Sequence, residues 1–376
     1  MNKNRIEPRI FTYLNAKAAK LGIPLTGNFE LTARCNFHCP MCYVHLTDAQ
    51  VEARGRELTA GQWLAVAQQA KEKGMVFALL TGGEPLVRKD FFEIYRGMKA
   101  MGLLVSINSN GSMISGPILG EFLKDPPLRF NISLYGGCRQ TYETMCGQNA
   151  FDRVVENIRT LRKAGIDVSL NVSITAHNAG DLEKINALAK ELDVHVRATS
   201  YMYPPVRIDG VYGGGERLAP EDAAEASVQW QSLWYTEEEF AKRAEYLKAM
   251  VPLEAPDCMV EMEEGSACRA GHSSFWMTWD GKMLPCGMFP SGGAYPLEIG
   301  FDAAWQQIRQ QTDQIRLPAK CSGCAKKPIC PVCPAVCVTE TGSFSGVPEY
   351  LCRHTDATIE KTWEKHLARK EQNNGN

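Results

Sequence analysis

The chain has 376 residues, 44% apolar and 22% charged, with a formal net charge of −2. These are the proportions of a globular protein, and the even charge balance argues against nucleic acid or a membrane surface as partner. Fourteen cysteines stand out. The opening M-N-K-N-R-I-E-P-R-I is charged where a signal peptide needs an apolar core, and no run reaches the roughly 18 apolar residues of a membrane span. The expected location is the cytoplasm, where disulfides are disfavoured and clustered cysteines read as metal or redox sites.

Residues 1–26 read as a lead-in helix, too short for a peptide-binding domain of its own. From residue 29 short runs rich in Val, Ile, Leu and Phe recur at 29–33, 76–80, 103–108, 129–134, 167–174 and 194–199, the signature of buried strands. Amphipathic stretches lie between them. One starts at a Thr cap before A-G-Q-W-L-A-V-A-Q-Q-A, and another places Phe151, Val154, Val155, Ile158 and Leu161 at helical spacing. A long Ala- and Glu-rich run, 219–250, closes the alternation. Repeated strand–helix units imply a parallel sheet, and six are too few to close an eight-stranded barrel. The expected fold is α/β: a partial (β/α)6 barrel over 27–250, followed over 251–376 by a small Cys-rich domain that needs metal to hold it together. That second part carries W-M-T-W-D-G-K-M-L-P-C, a hairpin with Asp280-Gly281 at its turn, and an amphipathic helix over 357–370.

Ligands in such folds gather at the C-terminal ends of the strands. L-T-A-R-C-N-F-H-C-P-M-C-Y follows the first strand, T-G-G-E-P (81–85) the second, N-S-N-G (108–111) the third, S-L-Y-G (133–136) the fourth and Y-M-Y-P-P (201–205) the sixth. Cys35, Cys39 and Cys42 are spaced C-x3-C-x2-C. Thiolates hold iron–sulfur clusters, and three of them on a four-iron cluster leave one iron open to a ligand. A zinc site with His38, His45 or another cysteine is the alternative. The tail runs Cys268-x12-Gly281-x4-Cys286, then Cys321-x2-Cys324-x5-Cys330-x2-Cys333-x3-Cys337, then Cys352. Paired zinc ribbons also use C-x2-C spacing.

With C-N-F-H-C-P-M-C followed by T-G-G-E-P one repeat later, the sequence resembles the radical S-adenosylmethionine enzymes over residues 27–250. The resemblance implies that Cys35, Cys39 and Cys42 hold a four-iron, four-sulfur cluster. Its open iron chelates S-adenosylmethionine, and reduction releases methionine and a 5'-deoxyadenosyl radical. It also implies that Gly82, Gly83 and Glu84 meet the methionine amino group through their backbone. Met41, with Tyr43, stands where the family usually has an aromatic residue near the adenine. Ser109, Asn110 and Ser133 are candidate ribose or carboxylate contacts, with a turn or cap role as the alternative. Tyr135, Asn171, Arg197 and Tyr201 belong to the same rim.

The tail resembles the SPASM extension of peptide- and protein-modifying radical enzymes, which holds two auxiliary four-iron clusters. The implied ligands are Cys268, Cys286 and either Cys333 or Cys337 for the nearer cluster, and Cys321, Cys324, Cys330 and Cys352 for the farther one. The spacing after Cys330 departs from the family pattern and leaves one cysteine over. Cys138, Cys146 and Cys258 read as ordinary thiols. Sulfatase-maturing relatives carry Y-P-C-D with an acidic base, and here L-P-C-G has Gly287. The S-L-Y-G stretch is closer to maturases of ribosomally made peptides. The resemblance therefore implies oxidation of a peptide, such as a thioether or other crosslink. A separate leader-recognition protein and an electron donor such as flavodoxin or ferredoxin are the implied partners. A sulfatase-maturase-like or small-molecule radical dehydrogenase is the alternative. An iron–sulfur electron carrier and a structural zinc protein are the readings from other classes.

Overall fold

The computed structural model describes residues 9–206, 216–249 and 268–374. Six parallel strands follow the expected alternation: β1 (Thr26–Glu30), β2 (Phe77–Thr81), β3 (Leu104–Ser109), β4 (Arg129–Ser133), β5 (Val168–Ser173) and β6 (His195–Thr199). Two more, β7 (Ser274–Met277) and β8 (Met283–Leu284), join the same sheet, whose order is β6-β5-β4-β3-β2-β1-β7-β8. β7 runs parallel to β1, with Gly27 opposite Phe275, and β8 turns back antiparallel to it. The hairpin is the one expected, with Gly281 in the left-handed region at φ 90°. It extends the sheet rather than standing apart from it. The expected boundary at 250–251 and Cys258 lie outside the described residues.

The first strand sits three residues earlier than its apolar run suggested. Thr26, Gly27 and Asn28 carry little hydrophobicity, yet they are flanked by β2 on one side and β7 on the other. Sheet neighbours, rather than side-chain pattern, decide such a central strand. Gly27 has no space for a side chain: a Cβ would lie 2.6 Å from Met75 and from Phe275. Residues 31–34 leave the ladder but stay tied to the end of β2, through Leu31 N–H to Thr81 O (2.8 Å) and Gly83 N–H to Thr32 O (2.8 Å).

The crossover helices carry the expected punctuation. Thr59 caps Ala60–Glu72 in a capping box with Gln62, satisfying N–H groups that the helix itself cannot. Phe151–Lys163 buries Val154, Val155, Ile158 and Leu161 against the sheet. The core runs through the barrel: Phe29 meets Trp63 and Phe275 edge-on at 6.0 and 5.7 Å, all fully buried. The long run divides into Pro220–Trp234 and Glu237–Ala249. The last helix is longer than expected, Glu349–Asn374. It lies along that pair, with Arg353 on Glu221 and Lys361 on Glu225, both at 2.8 Å. Among the described residues no helix is long and apolar enough to cross a membrane.

Candidate active site

A cavity of about 770 Å³ opens at the C-terminal ends of the strands. Its wall includes Cys35, Cys39, Met41, Cys42, Tyr43, Gly82, Gly83, Ser109, Asn110, Ser133, Tyr135, Asn171 and Tyr201. Residues expected at five separate strand ends thus face one space. Arg197 does not join them. It is exposed on β6. Glu84 lies buried beneath the rim.

The sulfurs of the first loop are held as acceptors. Cys35 Sγ receives the Phe37 N–H and Cys42 Sγ the His45 N–H, both at 3.3 Å. The Asn110 amide lies 3.8 Å from Cys35 Sγ and gives its stronger bond, 2.8 Å, to Asn36. Burial pushes the Cys35 thiol up to about 12 and raises Cys42 as well. A contact with Cys146, then burial, raises Cys39. Buried thiolates need a compensating cation, and N–H donors aimed at sulfur are what cluster ligands use. The donor set therefore fits an iron–sulfur cluster.

Both glycines after β2 are dictated by the fold. Gly82 has φ 146°, and a Cβ on Gly82 or Gly83 would collide with the carbonyls of Thr32 or Arg34. The N–H groups of Gly83 and Glu84 are already given to Thr32 and Arg34. A ligand's ammonium, itself a donor, would therefore meet carbonyl oxygens here. Glu84 accepts the Asn110 N–H at 2.7 Å, the Leu86 N–H at 3.1 Å and the Ser109 hydroxyl at 3.0 Å. Ser109 is thereby committed to the carboxylate. Burial pushes Glu84 up to about 7, against the pull of these hydrogen bonds.

The tail cysteines fall into two groups. Cys268, Cys286 and Cys333 lie within electrostatic range of Tyr203, whose hydroxyl is 3.7 Å from Cys333 Sγ. Ala270 and Met288 aim their N–H groups at Cys268 Sγ (3.5 Å) and Cys286 Sγ (3.4 Å). Cys321, Cys324, Cys330 and Cys352 make the second group. Cys333 stands at the N-terminal boundary of the helix Pro334–Thr341, without a side-chain capping bond. Cys337, one turn inside it and fully buried, faces Cys321, Cys333 and Cys330.

Several lining residues carry no local signal in the sequence. Cys146, read as an ordinary thiol, is on the cavity wall, and its carbonyl takes the His38 N–H at 3.3 Å. Tyr203, Trp230, Gln231, Met288, Val336 and His354 also face the cavity. They arrive from five segments separated in sequence, so no local pattern marks them. The Tyr spacing in Y-M-Y-P-P was the one available hint.

Residues 29–191 match the Radical SAM superfamily. The AdoMet-dependent heme synthase of Methanosarcina barkeri is 27% identical over 331 residues, 84% of this chain and 93% of that protein. Among solved structures, Streptococcus suis SuiB bound to S-adenosylmethionine superposes with TM-score 0.67 at 18% identity, covering 90% of this chain and 80% of SuiB. The protein anSMEcpe with bound AdoMet gives TM-score 0.68 at 16% identity, covering 92% and 99%. The cysteine loop and the glycine pair beside it lie within the stretch that matches, and residues 29–191 form a radical SAM domain.

Proposed function

We propose that this enzyme oxidatively modifies a peptide, most simply by installing a thioether or another crosslink. One observation carries the reading: a single cavity joins the Cys35–Cys42 loop to Tyr203, Met288 and Val336 beside the tail cysteines. A substrate held there lies between the radical-generating loop and the auxiliary groups. Cys35, Cys39 and Cys42 would hold the cluster that binds S-adenosylmethionine. Cys268, Cys286 and Cys333 would hold the nearer auxiliary cluster, and Cys321, Cys324, Cys330 and Cys352 the farther one. When bound, these groups supply one-electron cleavage of S-adenosylmethionine, hydrogen-atom abstraction from a substrate carbon, and a sink for the electron left behind.

The chain's own residues bind and orient. The carbonyls of Gly82 and Gly83 would receive the cofactor's ammonium. Glu84 locks that loop to Asn110, and Met41 and Tyr43 lie near the cofactor. The described wall offers hydroxyls, amides, thioethers and aromatic rings, such as Ser133, Asn171, Gln231, Met288 and Trp230. Such groups suit peptide amides and uncharged side chains. SuiB has been solved with the precursor peptide SuiA, which supports a peptide for an enzyme of this fold. A leader-recognition protein and a flavodoxin- or ferredoxin-type donor complete the reading.

The heme synthase relative favours a second reading, a tetrapyrrole substrate. Tetrapyrroles of the heme type carry carboxylates, for which the described wall provides hydroxyl and amide donors rather than cations. The test is anaerobic turnover with small Cys-containing peptides encoded beside the gene. Expected are 5'-deoxyadenosine release and a peptide lighter by two hydrogens, both abolished when Cys35, Cys39 and Cys42 are replaced by Ala. Turnover of a heme precursor with no change in any peptide would overturn the proposal in favour of the second reading.

A further inference from the structure

We propose that Tyr203 is a positioning residue for the nearer tail group: in the loaded enzyme its phenol donates a hydrogen bond to the Cys333 sulfur and raises the reduction potential of the cluster held there. The inference rests on the reading that Cys268, Cys286 and Cys333 hold an auxiliary cluster.

Tyr203 is where the cavity wall meets that group. Its ring lines the cavity, its hydroxyl lies 3.7 Å from Cys333 Sγ, and Cys286 and Cys268 are within electrostatic range. A ligating thiolate can only accept, and a phenol that titrates near 10 in water is protonated at neutral pH. The direction of donation follows. Hydrogen bonds to cluster sulfurs stabilise the more negative, reduced state and are a main lever on its potential.

The contact is fixed from both ends by the same helix. Cys333 immediately precedes Pro334–Thr341, and Glu340 on that helix accepts the Tyr201 hydroxyl at 2.6 Å. Tyr201 meets the Tyr203 ring edge-on at 5.0 Å. Arg217 pairs with Glu340 and stacks on Tyr350 at 4.0 Å, whose own hydroxyl is tied to Leu218 O at 2.8 Å. The donor ring and the acceptor sulfur therefore share one frame, and little ordering remains to be done when a cluster binds. Tyr201, equally part of the cavity wall, turns its hydroxyl to Glu340, so its loss loosens the frame without removing a donor from sulfur.

The experiment is a potentiometric titration of the anaerobic holoenzyme, followed by electron paramagnetic resonance, with iron counted on each sample. Tyr203→Phe is expected to keep the wild-type iron content and shift one cluster to a more negative potential, leaving the cluster of Cys35, Cys39 and Cys42 unmoved. Tyr201→Phe, which loosens the frame but keeps the Tyr203 phenol, is expected to move that potential less than Tyr203→Phe does. Full iron with no shift, or an equal shift in both variants, would overturn the proposal. Loss of about four irons in Tyr203→Phe would also overturn it, since the residue would then be needed for assembly alone. A wild-type enzyme that binds only about four irons would instead remove the auxiliary-cluster reading on which the proposal stands.

Discussion

The carboxylate of Glu84 accepts the backbone N–H of Asn110 at 2.7 Å and so ties the loop after β2 to the loop after β3. Asn110 in turn holds Asn36 of the cysteine loop at 2.8 Å. One buried acid thus braces two of the loops at the Cys35–Cys42 end of the cavity. Because burial raises Glu84 to about 7 from 4.5, the folded chain binds more protons than the unfolded chain between those values. Its contribution to stability is full below about pH 4.5 and is lost as pH rises through about 7, with an upper bound on the order of 3 kcal/mol. Glu84→Gln removes this dependence, and its amide cannot accept from both Leu86 and Asn110. Thermal midpoints of the two proteins across that window should converge towards the alkaline end. Parallel curves would contradict the assignment.

Gly83→Ala should damage the cofactor end while leaving the remainder folded. Its Cβ would collide with the Arg34 carbonyl, and the backbone of the cysteine loop must move to admit it. Where a cost of roughly 1–3 kcal/mol falls on binding, S-adenosylmethionine affinity drops about 5- to 150-fold. Equilibrium dialysis on the reconstituted enzyme measures it. Unchanged affinity would show that the glycine is dispensable.

Cys333 and Cys337 should separate by iron content. Cys333 stands with Cys268, Cys286 and Tyr203, whereas Cys337 is buried one turn into the helix. Cys333→Ala is expected to lower bound iron. Cys337→Ala is expected to keep it and to lose about 1–2 kcal/mol of stability through the void left behind. The reverse pattern would assign the ligand to Cys337.

Gly287→Asp should be poorly tolerated. A Cβ at residue 287 would lie 2.9 Å from the Trp276 ring, and that indole is pinned by its hydrogen bond to Glu30 at 3.0 Å. Moving the ring costs about 1–3 kcal/mol, visible as a lower thermal midpoint. An unchanged midpoint would mean that Trp276 yields easily and that an acid could be housed there.

Local chemistry made much of this protein legible. Periodic apolar residues located the strands of the barrel, Thr59 with Gln62 marked a helix start, Asp280-Gly281 marked the hairpin turn, and the cysteine and glycine spacings pointed to the cofactor end. Each of these signals is complete within a few residues, so sequence alone determined them. The first strand was misplaced because its N-terminal half is held by sheet neighbours, β2 on one side and β7, nearly 250 residues later, on the other.

The tertiary structure alone decided which residues share the cavity. Cys146 reaches the first cysteine loop from the end of another helix, His354 arrives on the C-terminal helix, and Tyr203 meets Cys333 across 130 residues of chain. Such neighbours are set by how whole elements pack against one another. Periodicity and caps determine what an element is and where it begins. They do not encode which side chain will stand opposite it once the sheet and its helices have closed.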